Sequence, residues 1–327
     1  MTLYGHDDAI AQFRAAMDAE TLHHAWLLAG PRGVGKARFA DMAARRVLAE
    51  ATSVKPVEEG LVVSPDHPTA HLFKAGSHPD FRRLERLPRE KKPDELARNI
   101  TIAQVRSLQS LFGSRPSMSD WRAVVIDAID DLERSAANAL LKNLEEPPPN
   151  CVFLLVCHNP GRLLPTIRSR CRMLRFRRLS DDDMTSAIAQ AEPTLDSEGI
   201  AALVRAGRGA PGQALGFAGL DIADLDAAIA ELIARGDAGN ARRAALAQSL
   251  SLKAALPRYE LFLQRAPSAI VRHARRLDGR ALARAIALWE QAGALAGSAP
   301  RQSLDPQATV FTLAGMLASL HEPEHDS

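Results

Sequence analysis

The sequence predicts a parallel α/β domain with helices on both faces of its sheet, followed by a small helical domain and a longer all-helical one. Three observations carry this reading. A glycine-rich loop, GPRGVGKA at residues 30–37, lies between an apolar run and a helix-forming stretch. Short apolar segments alternate with helical patterns as far as residue 178. Past Leu179 helical spacing continues and no convincing strand follows. With 327 residues the chain exceeds one ordinary core, and the expected domains are 1–178, 179–221 and 222–327.

Residues 25–29, AWLLA, form a short apolar run that stops at glycine and predicts a buried strand. After Lys36, Phe39, Ala43 and Val47 recur four apart among helix formers, which predicts a helix. Residues 51–79 are rich in Pro, Gly, Ser and His without a period and predict a long excursion. A strand is expected over DFRRL at residues 80–84, followed by a charged loop, RLPREKKPDE. Thr101 and Gln104 have capping-box spacing, and Ile102, Val105, Leu108 and Phe112 mark one helix face. WRAVVIDAIDDL predicts a β-branched strand ending in Asp127. SAANALLKNLEE places Ala136, Leu140 and Leu144 on one face of a helix that Pro147 ends. CVFLLVC is too apolar for a half-exposed strand and belongs in the middle of a covered parallel sheet. A short helix at TIRSR and a last strand near RMLRF complete the domain.

Ser180 with Asp181, Asp182 and Asp183 is an acidic helix start. The glycine-rich turn AGRGAPGQALG falls in the first helical unit. Leu225, Ile229, Leu232 and Ile233 are spaced helically, as are Leu282, Ile286 and Trp289. The tail HEPEHDS is expected to be disordered.

Composition excludes several classes. At 46% hydrophobic and 24% charged, with a formal charge of +2, the chain has no overall polyelectrolyte pull, so any nucleic-acid contact must be local. Its start lacks a basic segment followed by an apolar one, and no run approaches the roughly 18 apolar residues of a membrane helix, so a cytoplasmic location is expected. Cys151, Cys157 and Cys171 are odd in number and contain no C-x-x-C, which predicts reduced thiols in or near a core. His67, His71 and His78 lack metal-ligand spacing and read as surface histidines.

The loop carries the chemistry. A phosphate-binding loop, G-x-x-x-x-G-K-[ST], cradles phosphates with backbone N–H groups, reaches them with its lysine and ligates magnesium with its hydroxyl. Gly30, Gly33, Gly35 and Lys36 are candidate nucleotide-binding residues with Asp127, but Ala37 stands where the hydroxyl belongs.

HHAWLLAGPRGVGKA, ANALLKNLEEPP, FLLVCHNP and LLPTIRSRC together resemble the bacterial clamp-loader branch of the AAA+ ATPases, in particular its DNA polymerase III delta-prime family. The resemblance spans the first domain in order, and SLDPQATV is similar to the last helices of the family. It implies an AAA+ phosphate-loop domain, a helical lid and a helical collar by which five subunits close a hetero-pentameric ring. The implied partners are gamma/tau and delta subunits, with the sliding clamp and primer-template DNA reached through the complex. In the family an arginine within Ser-Arg-Cys completes a neighbour's ATP site, and Ser169, Arg170 and Cys171 match that motif.

The departures fall on the chain's own site. Active members carry Asp-Glu where this sequence has Asp127-Ala128, polar threonines where it has Cys157 and His158, and a lid arginine where it has Gly212. Together with Ala37, these changes imply a non-hydrolysing subunit that requires no cofactor. ATP or ADP binding without turnover and mere retention of the fold stay open as readings of the loop. The four-cysteine zinc module of many delta-prime chains has no counterpart at residues 50–79, so no zinc is expected. Arg162, Arg168, Arg170, Arg172, Arg175, Arg177 and Arg178 form a basic run with no aromatic interleaving, favouring partner contacts over base readout and leaving weak contact to duplex DNA open. An active gamma/tau-like motor is the alternative and would need replacements for Ala37 and Ala128. A small-molecule kinase would leave Arg170 and the helical C-terminus unexplained.

Overall fold

The computed structural model describes residues 2–89, 92–118, 120–220 and 222–321, so the tail beyond His321 lies outside the described residues. The chain divides between residues 215 and 216 into two compact units.

The first unit is built on five parallel strands, β1 (Ala25–Ala29), β2 (Phe81–Glu85), β5 (Arg122–Asp127), β6 (Cys151–Cys157) and β7 (Arg172–Arg175), in the order β2-β5-β6-β1-β7. Register places Leu27 beside Leu155, Leu28 beside Leu174, and Glu85 beside Asp127. Alternation along each strand sorts the core into two layers. Ala25, Leu27, Val124, Ile126, Phe153 and Leu155 face one way, against α4 (Ile102–Phe112) and α5 (Arg134–Glu145). Trp26 faces the other way, 5.0 Å from the ring of Phe13 on α1 (Asp7–Asp18), which in turn lies 5.7 Å from Phe39 on α2 (Lys36–Glu50). The capping box of α4 is formed, with Thr101 accepting from the Gln104 N–H.

Two expectations are corrected. The charged segment after β2 contains two paired strands, β3 (Pro88–Arg89) antiparallel to β4 (Lys92–Leu96), because backbone pairing does not require apolar side chains. The excursion contains α3 (Pro68–Lys74), and His67 and His78 are 6% and 3% exposed rather than on the surface. His67 caps α3, its Nδ1 accepting from the Thr69 N–H while Nε2 donates to the Val54 carbonyl at 2.7 Å. Seven residues with Pro at the first turn are too few to show a period.

After the short α6 (Pro165–Arg168) and β7 come α7 (Asp181–Ala191), α8 (Ser197–Gly207) and α9 (Pro211–Leu215), all in the first unit. The second unit comprises α10 (Ile222–Arg235), α11 (Ala241–Leu250), α12 (Leu256–Ala274), α13 (Gly279–Gln302) and α14 (Pro306–Ala318). Leu225, Ile229 and Leu232 of α10 are buried, as are Phe262 of α12 and Leu313 of α14. Helix α13 behaves differently. It buries Ala285, Ala292 and Ala299, while Ile286 and Trp289, spaced helically with Leu282, are 45% and 44% exposed. Among the described residues no helix is long and apolar enough to cross a membrane.

Phe153 is fully buried in the central strand β6. Phe153→Ala should cost about 3–5 kcal/mol, read as a lowered urea midpoint of the first unit. A change below about 1 kcal/mol would show that the sheet core is not close-packed there.

Candidate functional site

Strand β1 delivers the chain to Gly30, whose N–H donates to the Cys157 carbonyl at 3.2 Å. A Cβ at position 30 would lie 2.2 Å from the carbonyl oxygen of Phe176, so the close approach of β7 demands glycine. Gly35, with φ of +110°, turns the loop into α2 in a conformation other residues rarely adopt. From outside, His6 donates through Nε2 to the Val34 carbonyl at 2.7 Å.

Lys36 opens α2 and is 2% exposed. Its Nζ donates to the Gly30 carbonyl at 2.7 Å and to that of Pro31. Burial, the largest effect, pulls its pKa down to about 8, against attraction from Asp130 and Asp127. The ammonium therefore stays charged at neutral pH while bound to its own loop. Beside it opens a cavity of about 680 Å³ lined by Leu3, Tyr4, Gly35, Lys36, Asp127 and Gly212.

Asp127 ends β5, and its Oδ2 accepts from Arg83 Nη2 at 2.6 Å. The same guanidinium donates through Nη1 to Asp41 on α2 at 2.6 Å and through Nε to Glu85 at 2.8 Å. Burial raises the pKa of Asp127 and of Asp41, and in both the charge of Arg83 is the main opposing influence. A magnesium ion held by the protein needs hard oxygen ligands. Ala37 has none to offer, and the Asp127 carboxylate already has a cation on it. These residues do not fit the ion.

Ala128 follows Asp127 where an acid could orient water. His158 is no substitute: burial first, then repulsion from Lys36 and Arg32, lowers its pKa to about 4, too weak a base to activate water at neutral pH. Asp130 is engaged in turn closure, accepting from the N–H groups of His158 and Asn159 at 2.6 and 2.9 Å. The lid contributes backbone instead of charge. Gly212 N–H donates to the Gly33 carbonyl at 2.8 Å, and a Cβ at 212 would stand 3.1 Å from the Cα and the carbonyl oxygen of Gly33.

The structure thus gathers Gly33, Gly35, Lys36, Ala37, Asp127, Ala128 and Gly212 around one cavity, with Gly30 just behind it. Arg170 does not join them. It follows α6 and donates to the Thr166 carbonyl at 2.9 Å and to Glu145 Oε1 at 2.8 Å, with its side chain 35% exposed. Cys171 beside it is partly buried, its Sγ donating to the Ile167 carbonyl at 3.1 Å, and burial pushes its pKa up to about 12. Among the described residues no group of His, Cys, Asp and Glu could hold a metal ion. Sequence reading missed Arg83. Its signal was the i, i+2 pair Arg83 and Glu85 on one face of a strand, which has meaning only once β2 is known to lie beside β5.

A parallel sheet with a glycine loop running from β1 into a helix N-terminus, a carboxylate at the end of β5 and a following set of lid helices defines a phosphate-loop protein of the AAA+ type. The chain belongs to the family described as DNA polymerase III, delta subunit, which matches residues 5–180. It is 37% identical over 148 residues to DNA polymerase III subunit delta′ of Pseudomonas aeruginosa, covering 45% of this chain and 41% of that one. Similarity to subunit delta′ of Haemophilus influenzae is 31% over 162 residues, covering 50% and 45%. The gamma/tau subunit of Mycobacterium tuberculosis is 29% identical over 215 residues, covering 63% and 34%. These matches span less than half the length of the curated relatives. Among solved structures, a DNA polymerase III gamma subunit-related protein of Thermotoga maritima aligns over 95% of this chain and 99% of its own, with a TM-score of 0.45 and 14% identity.

Removing Arg83 should expose the electrostatic cost of the site. Arg83→Met leaves Asp41 and Asp127 without their cation and should lower stability by about 1–3 kcal/mol at pH 7. Both carboxyls have folded pKa values above the ordinary 3.8, so their cost is absent below that value and grows as pH rises through the raised one. Without Arg83 the pKa values rise further. The gap between native and variant urea midpoints should therefore widen from about pH 4 to pH 7. A gap independent of pH would contradict the pairing.

Proposed function

We propose that this chain is a delta-prime-like subunit of the DNA polymerase III clamp loader that does not hydrolyse ATP at its own phosphate loop and donates Arg170 to the ATP site of a neighbouring gamma/tau subunit. The observation that carries the reading is the Arg83 guanidinium on Asp127, which puts a protein cation where a nucleotide-bound metal would need a carboxylate. Ala37, Ala128 and Gly212 support it from three sides of the same cavity. The alternative, an active motor, would require Asp127 to exchange Arg83 for a metal that has no hydroxyl ligand at position 37.

Arg170 supplies the positive side of the reading. It lies outside the cavity of its own chain, partly exposed just after α6, within the Ser-Arg-Cys match. A guanidinium brought against a γ-phosphate in trans stabilises charge developing on the transferring phosphoryl group, an effect of about 10³ to 10⁵ in rate. It needs no nucleotide of its own and no zinc. The chain would act as a stator in a hetero-pentameric ring with gamma/tau and delta subunits. It would meet the sliding clamp and primer-template DNA through that assembly, in the cytoplasm where replication takes place. Any polymerase activity would belong to the holoenzyme.

The test is DNA- and clamp-stimulated ATP turnover of the reconstituted assembly, with native chain against Arg170→Ala. The variant should assemble normally and lose the phosphate release of the ATP site it completes. Unchanged turnover would contradict the donor role.

A further inference from the structure

Helix α5 ends in Glu145, with Glu146 as its C-cap and Pro147 next. The C-terminal end of a helix carries partial negative charge, so an acid there is disfavoured unless a cation offsets it. For Glu145 that cation comes from another element. Arg170 Nη2 lies 2.8 Å from Glu145 Oε1, and Arg170 Nη1 donates to the Thr166 carbonyl at 2.9 Å. The second acceptor is available because α6 is only four residues long.

The guanidinium is therefore fixed at two points on two different helices, and the proline run keeps α5 from extending past its carboxylate. The Glu145 side chain is 48% exposed and that of Arg170 35%, so the pair lies at the surface, and two of the five guanidinium N–H donors are committed to Glu145 and Thr166.

We propose that Glu145 is the positioning residue for Arg170. It restricts the rotamers of a long side chain before any partner docks and aims the unused donors at an anionic phosphoryl group on the neighbouring subunit. This rests on the reading of Arg170 as an arginine donor. An exposed ion pair contributes little to folding stability, so changes at Glu145 report on aim and leave the fold intact.

The experiment measures ATP turnover of the reconstituted assembly with native chain, Glu145→Gln, Glu145→Ala, Arg170→Ala and the double alanine variant, with assembly checked by size-exclusion chromatography. Glu145→Ala should lower kcat by about threefold to tenfold with KM for ATP unchanged. Glu145→Gln keeps an acceptor oxygen and should retain most of the native rate. The double variant should be no slower than Arg170→Ala, because Glu145 acts only through Arg170. Native turnover in Glu145→Ala beside a low Arg170→Ala would remove the positioning role and leave the donor reading standing. A loss that persists in the Arg170→Ala background, or a rise in turnover, would also overturn it. Unchanged turnover in Arg170→Ala would remove the donor reading itself.

Discussion

A single guanidinium, that of Arg83, ties the phosphate-loop helix to the sheet and supplies Asp127 with its cation. Register sets Glu85 beside Asp127, so Arg83, two residues back on the same face of β2, folds along the strand to reach both carboxylates. Its other arm holds Asp41 on α2. One side chain thereby joins β2, β5 and α2. Removing the cation would leave a cluster of carboxylates in a half-buried site, which is why the ion pair and the fold depend on each other.

The loop beside it is similarly self-contained. The Lys36 ammonium is bound by carbonyls of its own loop, and the Gly33 carbonyl by the backbone of the lid. An arginine at position 212 would bring a Cβ to within 3.1 Å of Gly33, so glycine and the close seating of the lid go together. The altered positions form one set. Ala37 has no ligand atom in its side chain, Ala128 no acid and Gly212 no charge, while Arg83 holds Asp127. Arg170 shares no polar contact with this set among the described residues.

Much of the first unit was legible because its signals are local. AWLLA before a glycine loop, CVFLLVC between turn signals, and the Thr101 and Gln104 capping box each specify an element from a few adjacent residues. What escaped was set by distant partners. Arg83 gains its meaning from Asp127, 44 residues away, and the buried His67 donates a hydrogen bond to the carbonyl of Val54, 13 residues earlier. The pairing of β3 with β4 hid in a charged segment because backbone pairing leaves no mark where hydrophobic alternation is absent. On α13 the helical spacing of Leu282, Ile286 and Trp289 is met, and the residues that pack inward are three alanines. A small side chain packs closely without standing out in a hydrophobic pattern.

The pairing of Asp127 with Arg83 competes with any metal for the same carboxylate. Its most direct test is a Mn²⁺ titration in the presence of ATP, followed by electron paramagnetic resonance, on the native chain and on Asp127→Asn. The account predicts identical traces, with no bound manganese that depends on Asp127. One equivalent of Mn²⁺ held by the native chain and lost in Asp127→Asn would show that the carboxylate is free to take a metal, and would contradict the account.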